Sequence, residues 1–331
     1  MRVAFDSRAV SDPDGVGRYC RCLLSALRET AAARDEIFEA QCPSALARSS
    51  GADVVHSPWM DAAMLRSPCP TVVTIHDLAA LKRRSEHLRS GLRMRMRHLA
   101  VQRAVNVIVP TEAVARDAVA HVSVQRDQVV VIPEAADASM FPRDERDVAA
   151  TRARFALPER YLVWVGDLKH PDPGKHVAKL ASAPRELPLV LVGPTGPWAH
   201  ELPDVILTGQ VSDDHLAAIY SGAHALLLSS KEEGFGLPAV EALACGTPVV
   251  ACDSPALREV LGARATFVAP GDMRGLVEAA QVARRPAPAP PRWSWQDAAR
   301  ATWGVYARAL ASVGQPRPAM RRPRLSRRRA G

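Results

Sequence analysis

No apolar run in this 331-residue chain approaches the ~20 residues that a membrane-spanning helix requires. The opening MRVAFDSRAV carries charges at Arg2 and Asp6 and lacks the continuous apolar stretch of a signal peptide. The chain is therefore expected to be soluble and intracellular. Aromatic residues make up only 5%, so the cores must be built mainly from Ala, Val and Leu. Cysteines stand at 20, 22, 42, 69, 245 and 252, with no CxxC pair and no Cys/His zinc spacing. That pattern argues against a zinc or redox site and suits scattered, reduced thiols. No repeat of solenoid length is present.

Length and composition fit two globular domains, with apolar residues at 47% and charged residues at 24%. The net charge of +8 is uneven: residues 314–331 hold seven arginines and no acid, and without them it falls to +1. Such a Pro- and Arg-rich tail cannot bury a core. It reads equally as a solvated disordered end or as an arm for anionic lipid or nucleic acid.

Apolar runs alternate with helix-like stretches along the whole chain. Strands are predicted at Arg2–Phe5, Val54–His56, Thr71–Ile75, Asn106–Val109 and Val129–Ile132. A second block follows at Tyr161–Val165, Leu189–Val192, Val205–Leu207, Ala225–Leu228 and Pro248–Ala251. Several are continuously apolar, as parallel strands buried on both faces must be. Helices are predicted at Val16–Arg28, Leu88–Arg103, Glu112–Ala120, Asp213–Ser221, Pro238–Ala244 and Ala256–Leu261, with one more in WSWQDAARATWGVYARAL. The pattern predicts an α/β protein of two doubly wound, Rossmann-like domains facing a cleft. The expected boundaries are 1–155, with a returning helix at 293–313, then 156–292, with Phe141–Leu157 as the linker. Ligands of such sheets bind beyond the C-terminal strand ends, so the loops there carry the function.

The richest loop is KEEGFGLPAVEALACGTPVV, Lys231–Val250. Pro238 suits the first turn of a helix and Gly246 its end. Gly234 and Gly236 would let a ligand reach the backbone, and free N–H groups at the helix start favour a phosphate. Glu241 could accept hydrogen bonds from a ribose diol, and Glu233 could grip a second polyol. Taken singly, each glutamate is as well read as a solvated side chain. Together the parts describe a site for a nucleotide sugar.

The segment Glu233–Gly262, EGFGLPAVEALACGTPVVACDSPALREVLG, closely resembles the donor-binding motif of family 4 retaining glycosyltransferases of GT-B fold. The resemblance covers nearly the whole chain, from MRVAFDSRAVSDPDGVGRY through VTIHDL, VIVPTEAVARDAV, VVVIPEAAD and YLVWVGDL to the last helix. It implies that Glu233 contacts the transferred sugar and Glu241 the ribose. The backbone at Gly234, Phe235, Gly236 and Leu237 would hold sugar and diphosphate. Gly15 and Gly17 would face the phosphates, and His76 would lie near the donor sugar. Catalytic roles fall to His76, Glu233 and Lys175. Two departures stand out. The family's Arg-Lys or Glu-Lys pair is replaced by the longer DLKHPDPGKH, with Lys175 as the match and Lys169 as a candidate second charge. Residues 28–53 also look short.

The expectation is a hexosyltransferase using an NDP-sugar, GDP-mannose first, on a glycan or lipid-linked acceptor in cell-surface polysaccharide or glycolipid synthesis. No cofactor or metal is expected: Asp12 and Asp14 in SDPDG read better as a polar turn than as a metal motif. The arginines of Leu88–Arg103 fit a solvated face, or contact with an anionic membrane from the cytoplasmic side. A noncatalytic nucleotide-sugar or nucleic-acid binder and an NDP-sugar epimerase are the alternatives.

Overall fold

The computed structural model describes residues 1–41, 51–79 and 94–312. Two parallel six-stranded sheets organise it. The first holds β1 (Arg2–Asp6), β2 (Glu36–Ala40), β3 (Val54–Ser57), β4 (Thr71–Thr74), β5 (Asn106–Val109) and β6 (Val129–Val131), in the order β2-β1-β3-β4-β5-β6. The second holds β7 (Leu162–Val165), β8 (Leu189–Val192), β9 (Val205–Gly209), β10 (Ala225–Leu228), β11 (Val249–Cys252) and β12 (Ala265–Val268), in the order β12-β11-β10-β7-β8-β9. Each sheet reverses its strand order beside its first strand, which opens a crevice at the C-terminal strand ends. Strands β3, β4, β5, β8, β10 and β11 are buried throughout, and β8, β10 and β11 are apolar at every position, as burial on both faces favours.

Five helices matter for the site. These are α1 (Gly15–Thr30), α2 (Glu112–Asp117), α3 (Asp213–Gly222), α4 (Leu237–Ala244) and α5 (Trp295–Ala311). The stretch read as a linker contains a helix at Glu145–Phe155, capped by Asp144. Only Val148 and Thr151 of it are buried, so no apolar stripe marks it in the sequence. The basic helix predicted from Leu88 is described over residues 94–102, where Arg97 pairs with Asp61 at 2.8 Å. Residues 80–93 and the tail lie outside the described residues.

Helix α5 returns from the second sheet to pack on α1 of the first. Trp303 Nε1 donates to the Leu27 carbonyl at 3.2 Å. Beneath it runs a buried polar chain: Tyr306 Oη to His56 Nδ1 at 2.7 Å, His56 Nε2 to Thr74 Oγ1 at 2.9 Å, and Thr74 Oγ1 to Tyr19 Oη at 3.1 Å. Burial lowers the His56 pKa to about 3, so the ring is neutral. His56→Phe would strand the Tyr306 hydroxyl at about 1–3 kcal/mol, while Thr74 keeps its bond to Tyr19. Urea unfolding should show a clearly lower midpoint; an unchanged midpoint would deny the chain a stabilising role.

Candidate active site

Loops from both sheets enclose a cavity of about 660 Å³. The first half supplies Asp14, Gly15 and Arg18 after β1, His76 and Asp77 after β4, and Glu134 after β6. The second half supplies Lys175, Glu233, Phe235, Gly236, Leu237 and Glu241, all on loops or helix starts beyond strand ends.

The loop before α4 explains much of this geometry. Gly236 has φ +87°, a left-handed conformation that disfavours other residues, and no side chain caps the helix start. The N-terminal end of α4, with its positive dipole, therefore stays available at the cavity. The same loop is zipped to the one carrying Lys175. Ser229 Oγ donates to the Lys175 carbonyl, and Lys231 N donates to the Gly174 carbonyl at 2.9 Å. Gly174 N in turn donates to Asp172 Oδ1 at 2.7 Å. The long DLKHPDPGKH loop is thus tied down, with Lys175 near Glu233 and its Nζ 6.0 Å from the Trp164 ring centre. Burial raises the Glu233 pKa, against the opposing pull of Ser230 and Lys175.

Glu241 is buried and lies where α4, α3 and α1 meet. Arg18 Nε stands 3.2 Å from its Oε1, and Tyr220 Oη donates to Oε2 at 3.5 Å. Burial pushes the Glu241 pKa up to about 7; Arg18 opposes the rise, while Asp213 and Asp137 add to it.

His76 has both ring nitrogens engaged. Nε2 meets the Pro58 carbonyl at 2.9 Å, which can only accept, and Nδ1 meets Glu134 Oε1 at 3.1 Å. Burial favours the neutral ring, but Glu134 outweighs it and the His76 pKa is raised. With a carbonyl on one nitrogen and a carboxylate on the other, the ring turns no free nitrogen to the cavity.

Lys175, Glu233, Gly234–Leu237, Glu241, Gly15 and His76 all line the one cavity. Gly17 does not. A Cβ there would overlap the Asp12 and Ala9 carbonyls, so this glycine lets α1 fold against its own loop rather than facing a phosphate. Gly234 has a comparable job: a Cβ would overlap the His76 carbonyl, and Thr111 Oγ1 holds the Gly234 carbonyl at 3.0 Å. It permits the two halves to meet. Lys169 is not on the cavity wall; Arg18 and Arg21 are the cations there beside Lys175. Asp14 caps α1 by accepting from Gly17 N at 2.9 Å. Sequence reasoning missed Arg18, Glu134 and Asp213. Arg18 falls three residues after Gly15, on the same face of α1, and Glu134 directly follows a strand-ending Pro133; both signals were available.

A cleft between two doubly wound sheets, with two glutamates, a lysine and an uncapped helix start on its walls, defines a GT-B glycosyltransferase architecture. Comparison with known proteins agrees. Residues 159–283 match the family described as Glycosyl transferases group 1, and residues 32–139 match Glycosyltransferase Family 4. The D-inositol 3-phosphate glycosyltransferase of Mycolicibacterium smegmatis is 31% identical over 319 residues, spanning 82% of this chain and 71% of the relative. The MMP alpha-(1->4)-mannosyltransferase of Mycolicibacterium hassiacum is 32% identical over 231 residues, 62% of this chain and 55% of that one. Among solved structures, the Anabaena protein HepE in complex with UDP-glucose matches with a TM-score of 0.65 at 17% identity, covering 94% of this chain and 95% of the other. The chain belongs to the family 4, group 1 glycosyltransferases and is an enzyme of that class. The epimerase and noncatalytic readings are set aside. Among the described residues, no helix is long and apolar enough to cross a membrane.

Proposed function

We propose that the cleft binds a nucleotide sugar and transfers the sugar, with retention, to a hydroxyl of a glycan or lipid-linked acceptor. The observation that carries this reading is the convergence on one cavity of a buried glutamate, a tethered lysine and an uncapped helix start. Glu241 accepts the ribose hydroxyls. Lys175 and the start of α4 neutralise the diphosphate, and Glu233 holds the sugar against the backbone of Phe235 to Leu237. The bond from the anomeric carbon to the phosphate oxygen breaks. A new bond to the acceptor oxygen forms on the same face, and the acceptor proton passes to the leaving phosphate. His76, with both nitrogens already engaged by Pro58 and Glu134, is not the base in this scheme. Lys175 and the helix carry the charge that a metal could otherwise carry, so transfer is expected to survive a chelator. GDP-mannose is the first donor to try, because one relative's name records mannosyl transfer.

The Glu241 carboxyl gives this reading a pH signature. Above about 7 it is ionised and accepts from both ribose hydroxyls; below, the proton removes one acceptor. Affinity for an intact NDP-sugar, whose diphosphate diester does not titrate near neutrality, should fall roughly tenfold for each pH unit below that value if only the ionised form binds well. Calorimetry from pH 5.5 to 8.5 tests this, with Glu241→Gln expected to bind weakly and with no such dependence. A flat wild-type profile, or an unimpaired variant, would remove Glu241 from the donor site.

A further inference from the structure

Arg18 has no part in the scheme above. It stands on α1, in the first half, and its guanidinium crosses the cleft into the second. There Nη2 donates to Asp213 Oδ1 at the start of α3, and Nε lies 3.2 Å from Glu241 Oε1. Only 14% of its side chain is exposed. The base of this arm is rigid: Asp14 caps the helix, Gly17 packs tightly on the preceding loop, and Arg21 Nη1 donates to the Val10 and Asp12 carbonyls at 2.8 Å each.

We propose that Arg18 is a positioning residue, which orients the Glu241 carboxylate for the donor and couples donor binding to closure of the two halves. The inference rests on the donor-site reading of Glu241. A buried carboxylate needs a partner to stay ionised, and Arg18 supplies the nearest opposite charge. It does so without closing the site. Nε is close to Oε1 but not aligned for a hydrogen bond, so Oε1 is buried with no hydrogen-bond partner. Oε2 is held by Tyr220. On the cavity wall, a carboxylate with one oxygen tethered and the other buried without a hydrogen bond gains one when a donor hydroxyl reaches it. Because Arg18 and Glu241 belong to different halves, anything that strengthens Glu241 in its ionised form also favours the closed arrangement, and the converse follows by linkage.

A double-mutant cycle tests this on the full chain, with the NDP-sugar that the wild type turns over. Donor KM, kcat and the pH dependence of donor affinity are measured for Arg18→Ala, Arg18→Lys, Glu241→Gln and Arg18→Ala/Glu241→Gln. The groups facing Glu241 are Arg18 and Cys22 from α1, Asp137 after β6, Asp213 and Tyr220 from α3, and Cys245 after α4. Among these Arg18 is the only cation, so its loss moves the midpoint of donor affinity to higher pH. That shift reads the Arg18 charge on Glu241; the KM against kcat split and the non-additivity read positioning, which a merely structural arginine would not show. Arg18→Ala should raise donor KM roughly 30-fold with a smaller change in kcat. Arg18→Lys, a point charge without the fork that reaches both carboxylates, should recover only part of the affinity. The double variant should resemble Glu241→Gln alone. Additive effects, an unshifted midpoint or a lowered KM in Arg18→Ala would overturn the proposal. If Arg18→Ala does not fold, Arg18→Lys carries the test, and a wild-type KM there overturns it. If Glu241→Gln itself leaves KM unchanged, the donor reading has failed; if it raises KM and Arg18→Ala does not, only the role of Arg18 has failed.

Discussion

Gly234→Ala is expected to reduce sugar transfer by at least about a hundredfold while each half of the protein remains folded. The added Cβ would overlap the backbone carbonyl of His76, which belongs to the opposite half. Neither side can yield easily. Thr111 Oγ1 holds the Gly234 carbonyl, and the imidazole of His76 is fixed by Pro58 and Glu134. The halves must separate, or the loop carrying Glu233 must shift. A misplacement of about 1 Å in a reacting group costs on the order of 10²-fold. Gly304→Ala makes the control: a Cβ there meets nothing within 4 Å, inside helix α5. It should leave transfer intact and stabilise by about 0.4–1 kcal/mol. Steady-state rates and circular dichroism on both variants distinguish lost closure from lost folding. Wild-type activity in Gly234→Ala would mean the halves need not meet at this point.

Lys175→Ala should lower kcat by about 10²–10³-fold with a lesser effect on donor KM. Charge builds on the leaving diphosphate as the bond to the sugar breaks, so a cation there stabilises the transition state more than the bound donor. The backbone of Lys175 is held through Ser229 and Gly174, which keeps the side chain beside Glu233 at little entropic cost. Lys175→Arg should recover part of the rate. A raised KM with unchanged kcat would make Lys175 a binding group only, and full activity would remove it from the diphosphate site.

The legible and illegible parts of this molecule divide along physical lines. Central strands such as β8 and β10 were readable because burial on both faces demands unbroken apolar runs. Strands β2 and β12 were missed. Both lie at sheet edges, and their partly exposed faces relax that demand. The helix at Glu145–Phe155 was hidden for the same reason, and its C-terminal cap is Ala156 in a left-handed conformation rather than glycine. On the cavity wall, Glu233 and Glu241 stand where the strand–turn–helix pattern put them, and Lys175 and Gly15 where the family resemblance did. Asp213 was not legible, since the residue that gives it a place in the site, Arg18, lies 195 positions away in the chain. The glycines show the limit most clearly. Sequence marks Gly17 and Gly234 as places without side chains. Only the fold reveals that each makes room for protein backbone.

The central claim is that this cleft cleaves a nucleotide sugar. The most direct measurement is nucleotide release from GDP-, UDP- and dTDP-sugars in the presence of EDTA, with an acceptor panel of simple glycosides and polyprenyl-linked sugars, for the wild type and Lys175→Ala. Release of one nucleotide that survives the chelator and collapses in the variant is the expected result. Release that requires added metal, or proceeds equally without Lys175, would contradict the account of the diphosphate site.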